Sequence, residues 1–161
     1  MPTQSSQLVI RPVRLTLLAV LLVTGTVLQK WFPMTRWGRL IGTPEKPDTA
    51  SPPLAAKQLS PTAQELSKDI SRACRLLPFA PSCLAQAFAG QRLLMARGTP
   101  GEVTIGLRRG SEGPWPAHAW LILDGQAITG TGMSDHFYPA TTYRVRAHQE
   151  DSSQSGSRGE T

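Results

Sequence analysis

PSCLAQAF, residues 81–88, decides how this chain is read, because it sets a thiol at the start of a helix. Pro78 and Pro81 stop the helix before them and bend the backbone. Ser82, or the residue before it, caps the helix that follows, and Cys83 then falls in its first turn. Thirty-five positions on, AHAW at 117–120 is an apolar strand that contains one imidazole, His118. A thiol at a helix N-terminus and a histidine on a buried strand are the parts of a cysteine nucleophile and its base.

Working outward, the second helix is expected to run to about Arg97, with Leu84, Ala87, Phe88, Leu94 and Met95 as its core face. Gly98 terminates it, and Arg92 and Arg97 lie toward the end where the dipole favours cations. Upstream, Ser60 caps a first helix, with Pro61 at its first position and Glu65 in its first turn. Leu66, Ile70, Cys74 and Leu77 recur on one stripe, which makes Cys74 a small packing residue. Downstream the period falls to two. Val103, Ile105 and Leu107 alternate with polar or small residues. Residues 117–123 are apolar on both faces, as a central strand covered on both sides would be. Asp124-Gly125 signals a tight hairpin into 126–129, and 143–145 adds a further short strand. Two helices followed by an antiparallel meander make an α+β fold.

The ends differ in charge from this middle. The chain of 161 residues carries a formal +6, and residues 1–40 hold five cations (Arg11, Arg14, Lys30, Arg36, Arg39) with no acid. Such a basic end suits a membrane surface or an acidic peptide; no aromatic-basic interleaving supports nucleic acid. Residues 15–29 form an uncharged apolar run of about 15 residues, short of the roughly 20 that span a bilayer. It reads as a helix packed on its own protein or lying in the membrane interface, with an anchor or export signal as the alternative. Residues 35–41 read as an amphipathic turn with Trp37, Leu40 and Ile41 inward. The Pro-rich stretch 42–53 has linker chemistry. The expected organisation is a basic, apolar helical segment at 1–43, a linker at 44–59, the core at 60–147 and a disordered tail at 148–161. Cys74 and Cys83 are too few for a disulfide framework, and no Cys/His spacing suits zinc, so neither metal nor cofactor is expected.

At a helix start, free N–H groups and the dipole stabilise a Cys83 thiolate. The N–H groups of Cys83 and Leu84 could serve an oxyanion. Taken alone, Cys83 reads as an inert buried thiol and His118 as a hydrogen-bonded core residue; together they make an acid–base pair. His136 and His148 lie in polar loop sequence and have no such case. A third group should orient the imidazole. Asp124, at the hairpin tip, is about 20 Å along the strand. A turn at Asp124-Gly125 puts Thr131 opposite His118 and Gly130 beside it. Asp135 could fold back from the following loop and ranks first for the role, with Thr131 second.

LLPFAPSCLAQAFAGQRLLMARGTPGEVTIGLRRG followed by PAHAWLILDGQAITG resembles the lasso peptide maturation proteases, the peptidase half of a split protein in the transglutaminase-like branch of papain-type folds. The resemblance covers 71–130, and WFPMTRWGRLIG looks more loosely like that family's helical leader region. It implies a nucleophile helix packed on an antiparallel sheet, Cys83 as nucleophile and His118 as base. The family often carries Asp twelve positions beyond the histidine, where this chain has Gly130. It also implies leader removal from a ribosomally made precursor peptide in the cytoplasm. A leader-recognition partner and an ATP-dependent cyclase would act alongside. The rivals are acyl transfer to an amine, a family member that binds precursor without cutting it, and an anchored or exported binding domain with a Cys74–Cys83 disulfide.

Overall fold

The computed structural model describes residues 4–47, 59–99, 101–108, 117–131 and 137–145, with side chains from Pro12 onward. Helix α1 spans Gln4–Trp31, far longer than the uncharged run expected, and contains Pro12. Arg14, which ends the uncharged run in sequence, lies within the helix and is neutralised in the fold. Its guanidinium pairs with Glu65 at 2.8 Å and with the buried Asp69. After α1 come α2 (Met34–Trp37) and a tight three-residue turn at Gly38–Leu40. Trp37 and Ile41 are buried, as expected. Leu40 is exposed, because the tighter turn rotates it off the inward side.

The stretch expected as linker opens with a short strand, β1 (Thr43–Glu45). Helix α3 runs Pro61–Leu76, with Ser60 Oγ accepting from Ala63 N–H as a cap. Glu65 lies just past the first turn rather than in it, and its carboxylate serves Arg14 instead. Helix α4 is Cys83–Ala96. Beyond it Gly98 adopts φ +66°, Gly98 N–H bonds Met95 O and Thr99 N–H reaches back to Leu94 O, the glycine stop read from sequence.

Helix α4 is buried almost all round, at Ala85, Ala87, Phe88, Ala89, Gly90, Gln91, Leu93 and Leu94. Leu84 and Met95, expected in the core, are only half-buried. A one-faced reading fails because α4 is sandwiched, with the sheet on one side and α1 on the other. A Cβ at Gly25 of α1 would lie 3.2 Å from Ala85 Cα, and one at Gly90 would meet the Leu121 side chain at 2.3 Å. Gln91 stitches the layers, its Nε2 donating to Ile41 O and Gly101 O.

The sheet comprises β1, β2 (Glu102–Leu107), β3 (Ala117–Leu123), β4 (Gln126–Thr129) and β5 (Tyr138–Arg144), in the order β1-β5-β2-β3-β4. All its pairings are antiparallel. The meander holds for β2 to β4 only, since β5 returns on the far side of β2. The strand expected at 143–145 is therefore a longer one at Tyr138–Arg144, and β2, not β3, stands in the middle. Strand β3 is still interior and buried along most of its length. Asp124 and Gly125 both take positive φ, 53° and 74°, the tight hairpin that Asp-Gly announces.

Candidate active site

The bend 77–82 determines what the first turn of α4 can do. Ser82 Oγ accepts from Ala85 N–H at 3.1 Å, and Ser82 O takes Gln86 N–H at 3.0 Å. Gln86 Nε2 in turn donates to Pro81 O, fixing the bend. The first two N–H groups of the helix, those of Cys83 and Leu84, have no intrahelical acceptor and remain available. Cys83, half-buried, therefore sits with its own N–H and the next at an electropositive helix end.

A cleft of about 220 Å³ opens there, lined by Gln29, Ser82, Cys83, Leu84, Ile105, Ala117, His118 and Ala119. The two residues singled out from sequence, 35 positions apart, thus share one cavity wall. His118 is one residue from the open end of β3. By alternation it shares its face with Trp120, whereas Ala119 and Leu121 pack toward the helices. Its ring stands edge-on to Trp120 and tilted over Phe137, each centroid 5.2 Å away. His118 Nε2 lies 2.9 Å from Gly130 O. A carbonyl oxygen only accepts, so Nε2 carries the hydrogen and Nδ1 is left as the basic nitrogen. No thiol–imidazole hydrogen bond is formed among the described residues: the His118 ring lies with Trp120 and Phe137 on the sheet face away from α4, and it would have to turn about its side-chain bonds to bring Nδ1 into the cleft.

The expected third member resolves differently. Asp135 lies outside the described residues. Thr131 is exposed and is not His118's cross-strand partner. Leu123 faces Gln126 and Ile122 faces Ala127 as the turn requires, but a bulge then pairs Leu121 with Thr129. Thr129 Oγ1 takes the Leu121 N–H at this irregularity. The one-residue slip leaves Thr131 one position short of His118, and the carbonyl of Gly130 meets the ring. Gly130 holds φ +75°, and a Cβ there would lie 2.6 Å from Ala119 O and 2.8 Å from His118 Nε2. Glycine at this position is a steric requirement of the contact.

Two further residues belong to the site and were not read from sequence. Gln29 reaches the cleft from α1, its Oε1 accepting from Ser82 Oγ at 2.7 Å. A lone Gln in an apolar helix was the only signal. Gly106 faces His118 across the β2–β3 ladder, and a Cβ on it would strike the Trp120 ring at 2.4 Å. Cys74 and Cys83 are both free thiols, so the disulfide of the binding-domain rival is not formed. Burial pushes the Cys74 thiol up from its ordinary range, with Arg75 offsetting part of the effect.

A family model described as the transglutaminase-like superfamily matches residues 22–142, about three quarters of the chain, and takes in Gln29, Cys83, His118 and Gly130. No curated protein and no solved structure matches the chain.

Proposed function

The chain belongs to the transglutaminase-like superfamily, and on that premise we propose that it is a cysteine peptidase that removes the leader from a ribosomally made lasso precursor. The superfamily includes both cysteine peptidases and acyl-transferring enzymes. The observation that carries the reading is the single cleft lined by Cys83, at the mouth of α4, and His118, at the open end of β3. The resemblance of residues 71–130 to lasso maturation proteases supports the substrate class.

With its ring turned into the cleft, His118 Nδ1 takes the thiol proton, and the Cys83 thiolate attacks the scissile carbonyl carbon. Negative charge grows on the carbonyl oxygen, where the Cys83 and Leu84 N–H groups meet it. Because Ser82 holds the carbonyl end of Gln29, the amide nitrogen is the end left to donate to the same oxygen. His118 returns its proton to the leaving amine as the C–N bond breaks, leaving a thioester. Water, deprotonated by His118, then releases the leader as a carboxylate. Among the described residues Gly130 O is the acceptor that holds the His118 ring. A neutral carbonyl supports the transient imidazolium less than a carboxylate would, since charge-assisted hydrogen bonds are roughly twice as strong. A leader-recognition partner would deliver the precursor, and an ATP-dependent cyclase would use the exposed core peptide.

The test is precursor with a candidate leader-binding partner, incubated with wild type, Cys83→Ala and His118→Ala and read by mass spectrometry. The reading requires a leader with a free carboxylate, made by wild type and by neither variant. A leader joined to an added amine would establish acyl transfer instead. Precursor that is bound by wild type but never cut would establish the non-cutting rival.

A further inference from the structure

Helix α1 has two faces, and only one is used by the fold. Leu18 and Leu22 are buried in the core, Gly25 lies against α4, and Gln29 bonds Ser82. At 100° per residue, Val13, Val20, Val23, Val27 and Trp31 fall on the opposite side, with Leu17 at its margin. All six are exposed; Val13, Val20 and Trp31 reach 65%, 56% and 72%. Two threonines share that side, and neither presents a free hydroxyl hydrogen. Thr16 Oγ1 donates to Pro12 O at 3.0 Å and Thr24 Oγ1 to Val20 O at 2.9 Å. No charged residue occurs between Arg14 and Lys30. The outward ridge is thus uncharged, with its polar donors turned back into the helix, for about 27 Å of helix length. Surface helices of water-soluble domains carry charge on that side.

At the C-terminal end of the ridge the composition changes. Exposed Trp31 and Phe32 are flanked by the exposed cations Lys30, Arg36 and Arg39, and residues 1–40 contain no acid. Aromatic rings beside cations mark the headgroup level of a bilayer, and the charge complements anionic lipid. Pro12–Trp31, with mean hydropathy 1.6, is long and apolar enough to cross a membrane. The opposite face argues against crossing here. Arg14 is tied to Glu65 and the buried Asp69, so α3, with its exposed Glu65, Lys68, Arg72 and Arg75, would have to enter the hydrocarbon too.

We infer that the protein docks on an anionic lipid surface through the outer ridge of α1, the helix lying in the plane of the interface with Trp31 and Phe32 at headgroup depth. The docking is independent of the reaction proposed above. It leaves the face that carries Gln29 turned away from the lipid, toward the cleft.

The full chain is mixed with vesicles of phosphatidylcholine alone or blended with phosphatidylglycerol and followed by flotation. The expected result is partition onto blended vesicles that weakens with salt. Val20→Glu combined with Val27→Glu should lower it roughly a hundredfold without changing the thermal melt. Trp31→Ala is the second variant should that pair disturb folding. Each of Lys30→Gln, Arg36→Gln and Arg39→Gln should cost about fivefold on blended vesicles only. Membranes from expressing cells should release the protein into alkaline carbonate. Absence of vesicle binding, binding unaffected by the ridge variants, or retention after carbonate would overturn the inference. So would a self-association in solution that the ridge variants abolish while vesicle binding persists.

Discussion

Cys74 and Cys83 lie nine residues apart, on either side of one bend, and the fold treats them oppositely. Both pack against the core cluster, but Cys74 closes the last turn of α3 and has its thiol pushed up by burial. Cys83 opens α4, where two N–H groups have no helical partner and a cleft brings in His118. The residue type is identical; the helix end and the neighbour across the gap differ. Reactivity here belongs to the place in the fold, and the two thiols provide a control for each other within one molecule.

The comparison breaks most sharply under substitution. Cys83→Ala should abolish precursor cleavage, a fall of about 10⁴-fold or more, whereas Cys74→Ala should leave kcat within a few-fold. Similar losses from both would remove the distinction, and activity surviving in Cys83→Ala would end it.

Next in size is Gly130→Asp. It installs the carboxylate that the resembled family carries at this position, yet the prediction is loss, not gain. Positive φ strains any side chain by about 1–3 kcal/mol, and the new Cβ would push on His118 Nε2 and Ala119 O. Cleavage assays and the melting temperature should fall together. Higher activity in this variant would show that the carbonyl does not orient the ring.

Gln29→Ala should lower kcat about 100-fold with little change in KM, the loss of one oxyanion donor. A fall confined to KM would make Gln29 a substrate-binding residue only.

The smallest effect concerns Cys74. Its folded pKa is raised, so the neutral thiol is the form the fold favours. Stability is full below the ordinary thiol value of 9.0 and declines as pH rises from there through the raised one, because the unfolded chain ionises first. Half-exposure keeps the effect slight. Denaturant melts across that window should show the wild type losing stability with rising pH relative to Cys74→Ala.

Much of this site could be read from sequence because its signals are local. Ser82 ahead of Cys83, the prolines of the bend, Gly98 after α4 and Asp124-Gly125 each act through their own backbone, and each stands where it was expected. What escaped was set by tertiary packing. The bulge after Ile122 moves the register by one, and no turn residue announces it. Leu84 and Met95 were placed inward because a single covered face was assumed, whereas α1 covers the other side of α4. Gln29 became legible only once α1 was known to cross the mouth of α4. Strand β1 hid in a Pro-containing stretch because an edge strand tolerates Pro44, and it pairs with β5 alone. Asp135 falls outside the described residues, and the acceptor seen at His118 is a backbone oxygen, which composition does not reveal.

The account stands on Cys83 being activated by His118, and the rate of alkylation of each thiol as a function of pH tests this directly. Peptide mapping after brief iodoacetamide treatment follows Cys83 and Cys74 separately. Cys83 should be alkylated faster than Cys74 across the pH range and lose that advantage in His118→Ala, while Cys74 stays slow throughout. A Cys83 profile that His118→Ala leaves unchanged would contradict the pairing, and the proposed chemistry with it.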